Sequence, residues 1–171
     1  MTKIKLRIHT WPENILKKKC RQVERVDAEI RELLNQMQEL MRACEGVGLA
    51  ANQAGFDLRL LVIEVEDRVF KLVNPCIVKR KGALKLLEGC LSFPGLEMEI
   101  NRAKKIWVST QDENGKQIVL ELEDVLAVIV QHEIDHINGK TFIDRISFWQ
   151  RLKIRPKLRK IARETKDGMC K

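Results

Sequence analysis

The stretch "VIVQHEIDHING", residues 128–139, holds two of the chain's three histidines and decides how the rest is read. Val125, Val128 and Ile129 precede His132 by seven, four and three residues and share one helical stripe with it. Asn138 and Gly139 close the pattern as a left-handed helix cap would. Residues i and i+4 of a helix lie one above the other, so the rings of His132 and His136 stand side by side, able to bind one ion. Glu133 is turned by about 100° from His132 and can reach a water on that ion without being a ligand. This is the mechanical content of H-E-x-x-H. The plainer reading, two histidines on a solvated face, fits poorly with the apolar stripe around His132.

Two ligands do not complete a site. A catalytic divalent ion takes three protein ligands and keeps a position open for water. Downstream, "GKTFIDRISFWQ" (139–150) offers no histidine and only Asp144 as an acid, and His9 lies in a basic N-terminal segment. Attention turns to Cys20, Cys44, Cys76, Cys90 and Cys170, an odd and scattered set that fits a reducing compartment, by default the cytoplasm. Cys90 has the most informative setting, "EGCLS" followed by Phe93 and Pro94, but that setting alone does not separate it from the others.

Outward from the histidine helix, "DAEIRELLNQMQELMRAC" (27–44) carries Ile30, Leu33, Leu34, Met37, Leu40 and Met41 on one stripe. Asp27 is placed as its N-cap and Gly46 as its left-handed stop. "LRLLVIEV" (58–65), "RVFKLVNP" (68–75) and "KKIWVST" (104–110) read as strands. "QIVLEL" (117–122) follows the Asn114-Gly115 turn signal, giving a hairpin over 105–121. Strands between an early and a late helix predict an α+β fold, with mixed or antiparallel sheets packed around the central histidine helix. "GVGLAANQ" (46–53) echoes a dinucleotide fingerprint, yet it follows a helix and precedes a strand, the reverse of what that fold requires. No nucleotide cofactor is expected. Its small residues instead suit a backbone edge on which an extended peptide lies, with Gly46, Val47 and Gly48 the candidates. Val125, Val128 and Ile129 could line an apolar pocket beside the ion, with plain core packing the equal alternative.

The chain has 171 residues, 44% of them hydrophobic, enough for one well-buried core. The expected division is a single catalytic domain over residues 1–146 and a basic helical extension over 147–171. The formal charge is +8, and residues 151–171 alone hold nine Lys or Arg against two acids, a net +7. Any polyanion-binding role therefore belongs to the extension. Pro156 should break or kink that helix; the plainer reading of it is a solvated helix docked on its own domain by Trp149 and Leu152. No run is apolar enough to span a membrane, and no secretory leader is read at the start.

Three motifs in order, "GVGLAANQ" (46–53), "EGCLS" (88–92) and "QHEIDH" (131–136), resemble those of the peptide deformylases. "WPENILKKKCRQV" and "HINGKTFIDRI" extend the likeness over roughly residues 7–146. The resemblance implies an α+β metalloenzyme that removes formate from the formyl-methionine of nascent polypeptides. It makes Cys90, His132 and His136 the ligands and Glu133 the general base and acid. It also directs the Gln53 amide and the Leu91 backbone N–H at the substrate. Metal-bound water would attack the formyl carbon. Iron(II) is the ion the family implies, with nickel, cobalt or zinc as substitutes. In many bacterial relatives a C-terminal helix meets the ribosome, so rRNA near the exit tunnel is the expected partner of the basic extension. Asp135 could form a structural ion pair or support a ligand from behind, with a solvated helix residue the plainer reading; Arg102 is given no separate role, and Glu97 stands where some relatives carry an arginine. Two rivals remain: a zinc endopeptidase drawn from H-E-x-x-H alone, and a metal-stapled ribosome-binding protein without turnover.

Overall fold

The computed structural model describes residues 6–166. Cys170 and the last five residues of the expected extension lie outside the described residues. The elements run α1 (Ala28–Ala43), β1 (Gly48–Ala50), β2 (Leu60–Val65), β3 (Arg68–Lys81), β4 (Leu84–Glu88), β5 (Met98–Arg102), β6 (Lys105–Gln111), β7 (Gln117–Glu123), α2 (Asp124–Ile137) and α3 (Phe148–Lys166). Five strands form one antiparallel sheet in the order β1-β2-β3-β6-β7, and β4 pairs with β5 alone.

Strand β2 explains the layering. Its first four residues, Leu60 to Ile63, are apolar and buried without a break because both faces are covered there, as the two-residue period of a strand allows. Leu61 and Ile63 pack with Ile106, Val108 and Leu122 under α2, whereas Leu60 and Val62 pack with Leu34, Met37 and Met41 of α1. Helix α2 then lies between the large sheet and the β4–β5 pair. Ten of its fourteen residues are buried, polar ones included.

The helix ends follow local chemistry. The Asp27 carboxylate accepts from Glu29 N and Ile30 N, the N-cap read from the sequence. At the other end of α1 the left-handed residue is Glu45, with φ 55°, not Gly46. Glu45 N donates to Arg42 O and Gly46 N to Met41 O, the two bonds of a Schellman cap. Gly139, with φ 72°, closes α2 the same way through His136 O and Asp135 O.

Strand β3 runs well past the expected Pro75. It does so through a bulge at Asn74, φ 54°, whose side chain bonds both Val23 N and Val23 O. A bulge is where a strand tolerates proline. Strands β4 and β5 were not expected at all. Their segments, "LKLLE" and "MEINR", carry one β-branched residue between them.

Helix α3 runs unbroken through Pro156, against the expected break. The bond lost there belongs to Leu152 O, on an exposed turn where water can replace it. Buried Ile154 and Ile161, one on each side, seat the helix on Phe93, Leu96, Phe142 and Ile143. Trp149 and Leu152 do not dock it, being 72% and 40% exposed. Thr165 Oγ1 donates to Trp11 O at 2.9 Å and pairs with Thr10 Oγ1 at 2.7 Å, so the extension is clasped to the body near the site.

Candidate metal centre

Helix α2 supplies two ring nitrogens and the turn after β4 supplies a sulfur. His132 Nε2 and His136 Nε2 are 3.2 Å apart, and Cys90 Sγ is 3.2 Å from His136 Nε2. All three ligand atoms lie within 4.8 Å of one another. A tetrahedral ion with ordinary N and S bonds would hold such atoms about 3.4–3.6 Å apart, so this donor set fits a divalent ion with small adjustment. His9 and Asp144 are engaged elsewhere. His9 Nδ1 bonds Glu13 at 2.7 Å, and Asp144 accepts from Thr141 N at 2.8 Å.

The surroundings orient the ligands. Glu88 Oε2 lies 2.8 Å from His132 Nδ1, which assigns the ring proton to Nδ1 and leaves Nε2 free to ligate. Arg102 grips Glu88 through two bonds and reaches Asp135 Oδ2 at 2.7 Å, and Arg145 closes on the same Asp135. Of the readings open for Asp135, the structure shows an ion pair, with Arg102 and Arg145 as its partners. The ring of Phe142, from the cluster that seats α3, stacks on His132 with centroids 5.9 Å apart.

Charge in this cluster is strongly biased. Burial opposes ionisation of Glu88 and Asp135, yet His132 and Arg102 for the one, and Arg145 and Arg102 for the other, hold both carboxyls below their ordinary range. Burial works against the His132 imidazolium too, but the Cys90 sulfur and Glu88 outweigh it and raise that pKa. Burial, with His132 and Arg102 beside it, keeps the His136 ring neutral. A divalent ion at the point where the ligand atoms meet would compete with a second proton on the His132 ring.

Glu133 is 5% exposed, and burial pushes its carboxyl up to about 7. Among the described residues its Oε2 has no hydrogen-bond partner. A Cβ on Gly48 would stand 2.6 Å from Glu133 Oε1, and one on Gly46 2.7 Å from Leu91 Cδ1. These glycines therefore admit the acid and the residue after the sulfur. The Gly46 N–H is already taken by the α1 cap, which withdraws it from the expected peptide edge. Gln53 Oε1 accepts from Ala50 N at 2.8 Å, and Nε2 faces Ser92 Oγ at 3.1 Å and Cys90 Sγ at 3.5 Å.

A cleft of about 1610 Å³ opens over these atoms, reached by His132, Glu133, Gln53, Cys90 and Leu91. Gly46, Val47 and Gly48 line it, and so do Glu97 and residues of α3. Val125, Val128 and Ile129 are not among its lining residues. Val125 is 52% exposed, and Val128 is buried. Ile129 packs on the main core. Sharing a helical stripe with His132 did not carry them to the cleft, whose apolar walls come from Leu87, Leu91, Phe93 and Leu96 instead. Glu88, Arg145 and Ser92 sit inside stretches the sequence singles out, but nothing there assigned them a part.

A family model described as polypeptide deformylase matches residues 5–152. A peptide deformylase of Aquifex aeolicus is 40% identical over 162 residues, covering 91% of this chain and 96% of its own. One from Helicobacter acinonychis is 38% identical over 170 residues, covering 95% and 97%. Among solved structures, the peptide deformylase of Thermus thermophilus superposes with a TM-score of 0.87 at 41% identity, covering 92% of this chain and 98% of that one. That of Ehrlichia chaffeensis in complex with actinonin gives 0.86 at 38%, covering 91% and 96%.

Proposed function

This chain belongs to the polypeptide deformylase family and is an enzyme of that family; from that premise we propose that it releases formate from N-formyl-methionyl nascent peptides, using one divalent ion held by Cys90, His132 and His136. The observation that carries this reading is the meeting of three ligand atoms within 4.8 Å beside a buried, partnerless carboxylate oxygen. A bound ion supplies Lewis acidity, which polarises a carbonyl and acidifies water toward neutral pH.

The chain's own residues do the rest. Glu133 removes a proton from the attacking water and returns it to the departing amine nitrogen. Burial sets its carboxyl at about 7, where both protonation states are populated at working pH. The Gln53 amide is held at its oxygen by Ala50 N, so its Nε2 is fixed in direction. That group and the Leu91 N–H would share the charge that develops on the formyl oxygen. A donor of this kind is worth ~100- to 1,000-fold in rate. Glu88 and Arg102 keep the His132 ring in its ligating tautomer.

One thiolate and two neutral imidazoles leave a divalent site at net +1, softer and more readily oxidised than three imidazoles would make it. Iron(II) is our choice, with nickel, cobalt or zinc as substitutes. Strand β1 is an edge strand, and Val47 before it is 53% exposed. A substrate backbone added along that edge would be held in register without regard to its sequence.

A zinc endopeptidase would need a third ligand downstream of His136, and Asp144 is occupied with Thr141. Glu133→Ala should keep the ion and lose formate release from formyl-Met peptides. Equal release by both proteins would end the mechanism. No helix of the described residues is long and apolar enough to cross a membrane. We place the reaction in the cytoplasm, at the ribosome. The cations of α3 beside exposed Phe148 and Trp149 would bind rRNA by counterion release. Cosedimentation with ribosomes that does not weaken with salt would exclude that contact.

A further inference from the structure

Among the described residues only three buried side-chain polar atoms have no hydrogen-bond partner: Glu133 Oε2, His136 Nδ1 and Asn52 Oδ1. The first belongs to a residue that lines the cleft. The other two belong to residues that are 0% exposed and in contact, since Asn52 Nδ2 donates to His136 O at 2.6 Å. That bond also fixes the amide, because the flipped orientation would press two oxygens together.

The His136 Nε2 faces the sulfur and the other ring, so a ligating His136 carries its proton on Nδ1. A metal-bound histidine nearly always gives that second N–H to an acceptor, as His132 does to Glu88. Buried polar groups are rarely left unpaired, and here an orphaned donor and an orphaned acceptor share one neighbourhood. The 2.6 Å bond from Asn52 Nδ2 to His136 O holds the two residues together, and a buried unpaired donor and acceptor on residues in contact are what an internal water bridges.

We propose that Asn52 is a positioning residue for the ligand His136, its Oδ1 joined to His136 Nδ1–H through a single buried water. The proposal rests on the metal reading above and adds to it the partner that fixes the second imidazole. Asn52 accepts through the water and donates directly to the backbone of the same residue, so it holds both ends of the ligand.

The test uses the whole protein, zinc-loaded and carrying ¹⁵N-histidine. The His136 Nδ1–H resonance should exchange slowly and show a cross-peak to a long-lived water. In Asn52→Leu that resonance should shift and lose protection, while the His132 Nδ1–H, held by Glu88, stays unchanged as the internal control. Zinc loss to a chelator should become roughly 10- to 100-fold faster, and Asn52→Asp, which keeps an oxygen acceptor, should recover most of the difference. A protected His136 Nδ1–H with no water contact in the unaltered protein overturns the proposal, even should Asn52→Leu fail to fold. So does zinc loss from Asn52→Leu at the unaltered rate. A protein that takes up no zinc at all removes the metal reading and this proposal with it.

Discussion

Gly48→Ala puts the smallest possible side chain against Glu133, the proposed general base. Its Cβ would stand 2.6 Å from Glu133 Oε1 and 3.1 Å from both Glu133 Cδ and Cγ. An ordinary contact is about 3.5 Å, so the carboxylate must retreat by roughly 0.9 Å. Glu133 is 5% exposed, on a helix that is itself buried, and has little room to yield by a change of rotamer. Misplacing a catalytic group by about 1 Å costs on the order of 100-fold in rate. The variant should lose about that factor in kcat, with ion content unchanged because Cys90, His132 and His136 are untouched. Formate release from a formyl-Met peptide, coupled to formate dehydrogenase, reads the first quantity and elemental analysis the second. If Gly48 served only as peptide-binding edge, KM would rise with kcat preserved. A kcat within threefold of the unaltered enzyme would refute the claim that this glycine exists to admit Glu133.

Glu88→Gln keeps the shape but removes the charge behind His132, and should speed loss of the ion by ~10- to 100-fold in chelator competition. Unchanged loss would show that Arg102 and Phe142 suffice to orient the ring. Ile161 is 3% exposed under α3; Ile161→Ala should lower unfolding stability by about 2–4 kcal/mol in urea titrations, whereas a free extension would lose nothing. Burial works against ionised Glu13, but Arg7, Thr10 N and His9 hold its carboxyl down at about 2, below an ordinary 4.5. A lowered carboxylate pKa stabilises the fold above the unfolded value, and that contribution disappears as pH falls from 4.5 toward 2. Glu13→Gln should therefore cost stability at pH 7, about 1 kcal/mol after solvent screening, and nothing near pH 2. A difference that persists at pH 2 would contradict the assignment.

What the sequence made legible was local. The spacing of His132 and His136, the cap at Asp27 and the stop at Gly139 each depend on a few adjacent residues, and each stands where it was read. Glu45 in place of Gly46 at the α1 stop is a one-residue miss of the same local kind, since nothing about a glutamate announces φ 55°. The larger omissions are long-range. Strands β4 and β5 have weak intrinsic preference and exist because the chain returns after the Cys90 turn to pair Glu88 with Met98. Glu88 reaches His132 across 44 residues, and no spacing rule joins a strand end to a helix face. Val125, Val128 and Ile129 failed for the opposite reason. Their periodicity was real, but Val128 is buried, Ile129 packs on the main core and Val125 is 52% exposed, so sharing a helical stripe with His132 did not bring them to the site. Pro156 shows tertiary contacts on both flanks outweighing one lost hydrogen bond.

The direct test of the metal centre is X-ray absorption on protein purified without oxygen. One ion per chain is expected, with one sulfur at about 2.3 Å and two imidazole nitrogens at about 2.1 Å in its inner shell. An inner shell of nitrogen and oxygen alone, in protein carrying a full complement of metal, would put Cys90 outside the site and undo the account.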